Sequence, residues 1–261
     1  MQAMFADGQV AVTACGEGPP LVLLHSLLAD RTSFDRVTPA LGRDFRLLLP
    51  DLPGFGASAP APGGLEAVAD RVGAALRAAT GGRPAAGLGN GYGGFVLLLC
   101  ALRHPDLFDR LVFADCGACF PEPGRAAFRG MAGAAAEKGL AAIADTAMRR
   151  LFAPAFQAAH PDLMAERRAA FLRTDVDVFR AACAALAGLD LRARLSEIRA
   201  PALVLVGEED EATPPAMARE LAAGLPDARF VTLPDCAHVP QLQAPEMFAS
   251  EVLAFLRPGA A

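Results

Sequence analysis

The chain has 261 residues, of which 53% are hydrophobic, 20% charged and 7% aromatic. The apolar fraction and a formal net charge of only −5 exclude an intrinsically disordered chain, and the length suits one large domain with a sizeable core. Because 29 acidic residues outnumber 24 basic ones, the charge balance argues against a surface that binds nucleic acid.

Neither end of the chain nor its interior predicts a membrane segment. The longest uninterrupted apolar run, Phe95 to Leu102, is far shorter than the roughly 20 residues that a membrane-spanning helix needs. The first residues have neither a basic start nor an apolar stretch, so we expect no signal peptide and a cytoplasmic location. We expect a small-molecule substrate as the partner.

Six cysteines are scattered along the chain, too few for a disulfide framework at this length. Cys116 and Cys119 have the spacing of a redox motif, but no second Cys or His pair follows at the distance of a zinc site. We therefore predict two buried structural thiols, and we expect no metal and no cofactor.

Strand-like and helix-like segments alternate along the first 119 residues. Two short runs on either side of Gly8 predict an antiparallel hairpin. Unbroken apolar runs then predict buried strands at 21–25, 45–50, 84–90 and 111–115, with helices over 33–41, 64–80 and 91–103 between them. Buried strands that alternate with helices are typical of a mostly parallel sheet covered on both faces, which is an α/β fold.

The pattern changes between about residues 120 and 196, where Ala-rich helical segments follow one another without a strand. Strands return at 201–207 and 229–233, with a helix that Thr213 caps and a last helix over 245–256. We therefore predict a core formed by 1–119 and 197–261, and an all-helical cap or lid over 120–196.

A glycine-rich turn lies between a predicted strand and a predicted helix. It reads Gly89-Asn90-Gly91-Tyr92-Gly93. A sharp strand-to-helix turn needs small residues two positions before and two after its apex, because the two backbones nearly touch there. This spacing matches the nucleophile elbow, Gly-x-Ser-x-Gly.

Through this motif the chain resembles the α/β-hydrolase superfamily over nearly its full length. Leu21 to His25 resembles the strand before the oxyanion loop, Gly207 to Asp210 the acid loop, and Asp235 to Pro240 the histidine loop. The segment at 25–30 also has a short similarity to 3-oxoadipate enol-lactonases. The resemblance implies an α/β-hydrolase fold with a helical lid, and hydrolysis of an ester or lactone.

The apex itself departs from the family, because Gly91 stands where the family carries Ser, Cys or Asp. The resemblance implies His238 and Asp210 as a base and its acid partner, and the backbone N–H groups of Leu27 and Tyr92 as an oxyanion hole. Asp115 is the alternative acid, since it ends the strand after the elbow helix.

Three further residues are placed in the substrate pocket: His25, Ser26 and Asn90. Ser26 follows His25, where the oxyanion loop more often has Gly, so its hydroxyl is also considered as a relocated nucleophile. Because that hydroxyl lies on a different element from the elbow, the pocket role is the one we predict. His25 also fits a role as a scaffold for the oxyanion loop.

A competing interpretation comes from Gly89 to Gly94, which formally fits the Gly-x-Gly-x-x-Gly fingerprint of dinucleotide-binding folds, with Asp115 about 20 residues on. The elbow explains the same glycines. The segments around Asp210 and His238 have no counterpart in a dinucleotide fold, so we do not expect a nicotinamide or flavin cofactor.

Two opposed hypotheses follow from a glycine apex. In the first, glycine leaves room for a water that His238 and Asp210 activate against a small ester, lactone or similar carbonyl. A variant of this hypothesis is a cofactor-free oxygenase or lyase with His238 as base. In the second, the protein is a ligand-binding relative without catalysis. The sequence also leaves open that Gly91 replaces a natural serine.

Overall fold

The structure is a computed structural model that describes residues 1–257. The last four residues of the predicted core segment 197–261 lie outside the described residues. One eight-stranded sheet runs through the molecule in the order β1-β2-β4-β3-β5-β6-β7-β8. Its strands are β1 (Gln2–Phe5), β2 (Val10–Cys15), β3 (Pro20–Leu24), β4 (Arg46–Pro50), β5 (Ala85–Asn90), β6 (Phe108–Ala114), β7 (Ala202–Gly207) and β8 (Ala228–Leu233).

The sheet is antiparallel at one edge and parallel elsewhere. The β1–β2 hairpin joins the sheet antiparallel to β4, and the pairs from β4 through β8 are parallel. Every residue of β3, β5 and β7 is buried, which explains why these strands are continuous apolar runs in the sequence. The predicted α/β-hydrolase architecture, with a mostly parallel sheet between helices, is confirmed.

Helices cover both faces of the sheet and follow one another between β6 and β7. They are α1 (Thr38–Leu41), α2 (Gly64–Thr80), α3 (Tyr92–Arg103), α4 (Glu122–Lys138), α5 (Ala144–Leu151), α6 (Pro154–Ala159), α7 (Pro161–Leu172), α8 (Val176–Gly188), α9 (Pro215–Gly224), α10 (Pro240–Gln243) and α11 (Pro245–Leu256). We refer to α4–α8 as the cap helices. Short 3₁₀ helices lie at Arg31–Phe34, Leu140–Ile143 and Arg192–Glu197.

Two apolar clusters hold the layers together, one on each face of the sheet. The larger cluster joins α2, α3 and the cap helices to one face, with Phe95, Phe171 and Phe179 at most 1% exposed. The smaller cluster joins α1 and α11 to the other face through Phe34 and Phe248, both 0% exposed. Burying an aromatic side chain of this size contributes roughly 1.5–3 kcal/mol to folding.

Two predictions about helices are wrong. The helix expected over 33–41 is instead the 3₁₀ turn Arg31–Phe34 followed by the single turn α1. Pro39 lacks the N–H that a continuous helix would use to bond the carbonyl four residues earlier, so the helix cannot run through it. Thr213 does not cap α9, whose N-cap is Pro214, because its hydroxyl binds Asp210.

Within residues 1–257, no helix combines the length and the apolar character that a membrane crossing requires.

Candidate active site

The strand-to-helix turn between β5 and α3 has Gly91 at its apex. Gly91 has φ 53° and ψ −117°, a backbone conformation that strains a residue with a Cβ. The flanking glycines are required by close backbone approach: a Cβ on Gly89 would lie 2.4 Å from the Gly93 carbonyl oxygen, and one on Gly93 2.1 Å from the Leu24 carbonyl oxygen. The close approach of the backbones therefore explains why small residues lie on either side of the apex, as predicted.

His238 and Asp210 meet above this turn. The His238 Nδ1 lies 2.9 Å from Asp210 Oδ2, and the two residues are 6% and 3% exposed. Asp210 also accepts from the backbone N–H groups of Ala212 and Thr213 at 2.7 and 3.0 Å, and from the Thr213 hydroxyl at 2.5 Å. These donors fix the carboxylate in one orientation, so it can hold the imidazole in one tautomer.

The environment keeps Asp210 ionised. Burial alone would raise its pKa, but the adjacent His238 and the hydrogen bonds from Thr213 outweigh burial and hold the pKa below the usual value. A carboxylate that stays ionised stabilises the positive charge that His238 acquires when it takes a proton. The pair therefore has the electrostatics of a general base.

Asp115, the alternative acid, lies directly behind this pair. It accepts from the Gly207 N–H at 2.8 Å, whereas the hydrogen bond of His238 Nδ1 goes to Asp210. Burial and the negative charge of Asp210 raise the pKa of Asp115 well above its usual value. The carboxylate that bonds His238 is therefore that of Asp210, and not that of Asp115.

Asp115, Asp210 and His238 also have one oxygen or nitrogen each within 4.8 Å of one another, the spacing of a candidate metal site. The hydrogen bond between His238 and Asp210 already uses the atoms that would face an ion, and the raised pKa of Asp115 disfavours a second negative ligand. The chemistry of these donors favours proton transfer over metal binding.

The space above Gly91, which we expected to hold a water, is bordered closely by two side chains. A Cβ on Gly91 would lie 2.6 Å from Ser26 Oγ and 2.7 Å from His238 Nε2. Ser26 Oγ is itself 3.4 Å from His238 Nε2, and the side chain is 2% exposed. The Ser26 hydroxyl, from the loop after β3, thus borders the space that we expected a water molecule to occupy.

The predicted oxyanion-hole donors flank the same space. Leu27 and Tyr92 both line the pocket, and within residues 1–257 neither backbone N–H has a backbone acceptor outside regular secondary structure. Tyr92 N–H is one of the free donors in the first turn of α3, where the helix dipole favours negative charge. Both groups are therefore available to an oxygen that becomes negative.

His25 does not line the pocket among the described residues, in contrast to the prediction, and supports the oxyanion loop instead. Its Nδ1 donates to the Ser26 carbonyl at 3.0 Å, and its Nε2 accepts from the Leu52 N–H at 3.2 Å. Burial lowers its pKa, so the ring is neutral and can make both bonds at once. This geometry fits the scaffold role that the sequence also suggested.

Asn90 is likewise removed from the pocket lining of the described chain, and it anchors the histidine loop. Its Nδ2 donates to the His238 carbonyl at 2.9 Å, and its Oδ1 accepts from Gln241 Nε2 at 3.0 Å. Sequence reasoning missed Gln241, which is 0% exposed, and the hydroxyl role of Thr213. Gln241 acts across 151 residues, a distance that carries no local signal, whereas Thr213 lies only three residues from the Asp210 that it bonds.

The pocket at this site is small and mostly apolar, with a volume of about 30 Å³. Besides the groups described above, its walls are formed by core and cap side chains: Leu28, Phe95, Phe120, Phe128, Met131 and Leu186. A cavity of this size holds one or two waters.

Arg150, on α5, also lines the pocket. Its guanidinium makes no hydrogen bond and no ion pair with any residue in the range 1–257 that the structure describes. Burial lowers its pKa, while Asp210 and Glu211 act in the opposite direction. From the sequence, Arg150 is one of five arginines on the predicted lid that could anchor a carboxylate, and nothing in the sequence singles it out from the other four.

Cys116 and Cys119 are both free thiols. Burial raises the pKa of each, so the reactive thiolate is disfavoured. This agrees with a structural role.

Comparison with known proteins identifies the same fold family. The sequence profile of the alpha/beta hydrolase fold family matches residues 19–245. The chain is 33% identical over 249 residues to a pimeloyl-[acyl-carrier protein] methyl ester esterase of Aromatoleum aromaticum, covering 87% of this chain and 94% of that protein.

Solved structures agree with the sequence comparison. An enol-lactonase from Burkholderia xenovorans superimposes with a TM-score of 0.90 at 29% identity, covering 98% of this chain and 99% of that one. A thermophilic esterase from Thermogutta terrifontis gives a TM-score of 0.88 at 26% identity, with 98% of each chain covered. The chain belongs to the α/β-hydrolase fold family.

Proposed function

We propose that the protein hydrolyses a small carboxylic ester or lactone, with His238 and Asp210 as the general base that activates water. One observation carries the proposal. His238, hydrogen-bonded to the buried Asp210, lines a pocket whose walls also include Leu27 and Tyr92, the residues that we expect to act as oxyanion donors through their N–H groups. A base and two oxyanion donors around one small cavity are the requirements for attack on a carbonyl carbon.

The reaction needs a proton acceptor beside the attacking oxygen. His238 Nε2 points into the corner above Gly91, and Asp210 stabilises the imidazolium that forms when Nε2 takes the proton of water. The N–H groups of Leu27 and Tyr92 hold the negative carbonyl oxygen of the tetrahedral intermediate. His238 then returns its proton to the leaving alkoxide, and the carboxylic acid product is released.

Two further facts support the substrate class. Among the relatives that the chain resembles over nearly its whole length are a methyl ester esterase and an enol-lactonase. The apolar walls of the pocket favour an acyl group that is mostly apolar.

Arg150 adds a charge requirement to the substrate. A guanidinium that lines an apolar pocket without a hydrogen-bonding partner in the described chain favours an anionic group on the ligand. We therefore propose an ester or lactone that carries a second carboxylate.

The test is a hydrolysis assay on small aryl esters, half-esters of dicarboxylic acids and lactones. His238→Ala and Asp210→Asn should each lower kcat/KM by about 10²–10⁴-fold, the usual worth of a general base. His160→Ala is the matched control, since His160 is exposed on the cap and should leave kcat/KM unchanged. If the protein binds these compounds but no variant alters their rate of hydrolysis, it is a ligand-binding relative and the proposed function is wrong.

A further inference from the structure

Two features of this chain meet at one point in space. The elbow apex has no side chain at Gly91, and the loop after β3 carries a hydroxyl at Ser26. A Cβ at Gly91 would lie 2.6 Å from Ser26 Oγ, so a side chain at 91 and the hydroxyl of Ser26 compete for the same volume. Glycine at the apex is the residue that leaves this volume to Ser26.

The hydroxyl of Ser26 faces the base. Ser26 Oγ lies 3.4 Å from His238 Nε2, which is its hydrogen-bond partner, and Nδ1 of the same ring lies 2.9 Å from Asp210. The three groups form a continuous chain from carboxylate through imidazole to hydroxyl. A separation of 3.4 Å is long for a strong hydrogen bond, but such contacts are often loose without substrate and tighten when it binds.

The position of Ser26 is held from two sides. Its carbonyl accepts from His25 Nδ1 at 3.0 Å and from the Ala29 N–H at 3.3 Å. The residue is 2% exposed and lines the pocket next to Leu27, a predicted oxyanion donor. The hydroxyl is therefore kept beside both the base and the oxyanion hole, as a nucleophile requires.

We propose that Ser26 is the catalytic nucleophile, relocated from the elbow to the oxyanion loop. This inference rests on the proposed function and adds a covalent step before the attack of water. His238 Nε2 takes the proton of Ser26 Oγ while Oγ bonds to the carbonyl carbon. The tetrahedral intermediate collapses, the alkoxide leaves with the proton from His238, and an acyl-Ser26 ester remains.

Water completes the cycle. His238 takes a proton from water as the water oxygen adds to the acyl carbon. Collapse of this second intermediate breaks the bond to Ser26 Oγ, which regains its proton from His238, and releases the carboxylic acid. The net reaction is ester plus water to acid plus alcohol, without an added oxidant or reductant.

The first experiment maps covalent labelling. The intact protein is treated with a fluorophosphonate, and the modified peptide is sequenced by mass spectrometry. We expect one phosphonyl group per chain, on Ser26, and none in Ser26→Ala or His238→Ala. Ser33→Ala is the matched control, because Ser33 is also buried but its hydroxyl forms no hydrogen bond within the described residues, and labelling should be unchanged.

The second experiment measures turnover on the best ester. Ser26→Ala should lower kcat/KM by at least about 10³-fold and abolish any burst of leaving group, with the melting temperature close to that of the wild type. In the double variant Ser26→Gly with Gly91→Ser the hydroxyl returns to the elbow. We expect labelling to move to position 91 and part of the activity to return.

The outcomes separate this inference from the proposed function. Hydrolysis that depends on His238 but persists within tenfold in Ser26→Ala, with Ser26 unlabelled, overturns the relocated nucleophile and leaves water as the direct attacker. Labelling at Ser26 in a protein that hydrolyses no ester supports the nucleophile and overturns the proposed substrate class. Absence of both contradicts both proposals.

Discussion

At the scale of single residues, Gly91 is the position from which the site is organised. With φ 53° it has a conformation that costs roughly 1–3 kcal/mol for a residue with a Cβ. Family members that carry a nucleophile there accept this strain, whereas glycine avoids it. Glycine at position 91 therefore provides no nucleophile, but it avoids the backbone strain and leaves space for the Ser26 hydroxyl.

Gly91→Ala tests this view. The added Cβ would lie 2.6 Å from Ser26 Oγ and 2.7 Å from His238 Nε2, so we expect both side chains to be displaced and kcat/KM to fall at least tenfold. Backbone strain should lower the free energy of unfolding by about 1–3 kcal/mol. Gly8→Ala is the control, because Gly8 has φ 78° but no atom within 4 Å of the new Cβ. Urea unfolding and ester hydrolysis measure the two effects; equal activity in both variants contradicts the competition for space.

Arg150 makes a second prediction at this scale. If it holds a carboxylate of the substrate, Arg150→Gln should raise KM for a half-ester of a dicarboxylic acid by about tenfold, roughly 1.4 kcal/mol, and leave the neutral ester unaffected. Arg149→Gln is the neighbouring control, since Arg149 is exposed and bonds Thr146. Equal changes in KM for charged and neutral esters would mean that Arg150 only supports α5.

At the scale of elements, the oxyanion loop is tied to the cap. Asp30, three residues after Leu27 in the chain, lies 2.9 Å from Arg173 Nη2 and 3.5 Å from Arg167 Nη1. The Arg167 side chain is only 4% exposed. The 3₁₀ turn Arg31–Phe34 starts at the same Asp30. The segment that carries Ser26 and the helix α7 are therefore held by one carboxylate.

This link should depend on pH. Burial opposes ionisation of Asp30, but the Thr32 hydrogen bond and the nearby Arg167 lower its pKa below the unfolded value. A lowered pKa contributes stability above the unfolded pKa, and this contribution is lost as pH falls through the folded pKa, so the link weakens only in acid. Asp30→Asn should cost about 1–3 kcal/mol at pH 7 and speed hydrogen exchange in α7. Asp177→Asn, which removes an exposed ion pair with Arg180, should do neither.

The sequence predicts best those elements whose apolar residues recur with a clear period. The helices over 64–80 and 245–256 have the predicted bounds because their apolar positions recur with a helical period. The helix predicted over 33–41 was wrong because Pro39 interrupts a segment whose apolar pattern is helical. In the candidate site, Gly91, His238 and Asp210 were predicted through their motifs, and the structure brings them together. Gln241 was not predicted, because hydrogen bonds between distant segments leave no periodic or local trace.

At the scale of the whole molecule, parallel strands bring the site together. The loops after β3, β5, β6, β7 and β8 all leave the carboxyl edge of the sheet, so Ser26 and His238 meet although 212 residues separate them. The same geometry crowds two carboxyl groups, Asp115 and Asp210, at the end of the central strands. Only one of them pairs with His238.

Asp115, the carboxyl group that does not bond His238, should make the stability of the folded chain depend on pH. The pKa of Asp115 is raised by burial and by Asp210, so the folded state binds its proton more tightly than the unfolded state. Its favourable contribution is complete below the unfolded pKa and is lost as pH rises through the folded pKa. Asparagine resembles the protonated acid, and it tolerates the φ of 51° found at Asp115. Asp115→Asn should therefore match the wild type near pH 4 and melt about 2–4 °C higher at pH 7.

The same variant separates the two acids in the reaction. Asp115 makes no hydrogen bond to the His238 ring within residues 1–257, so Asp115→Asn should lower kcat/KM less than tenfold. Asp210→Asn should lower it by about 10²-fold or more, because the imidazolium would lose its counter-charge. Thermal unfolding at pH 4, 5.5 and 7, with ester hydrolysis at pH 7, measures both. If Asp115→Asn is the more damaging substitution, the acid partner of His238 is Asp115, and the hydrogen bond to Asp210 is structural.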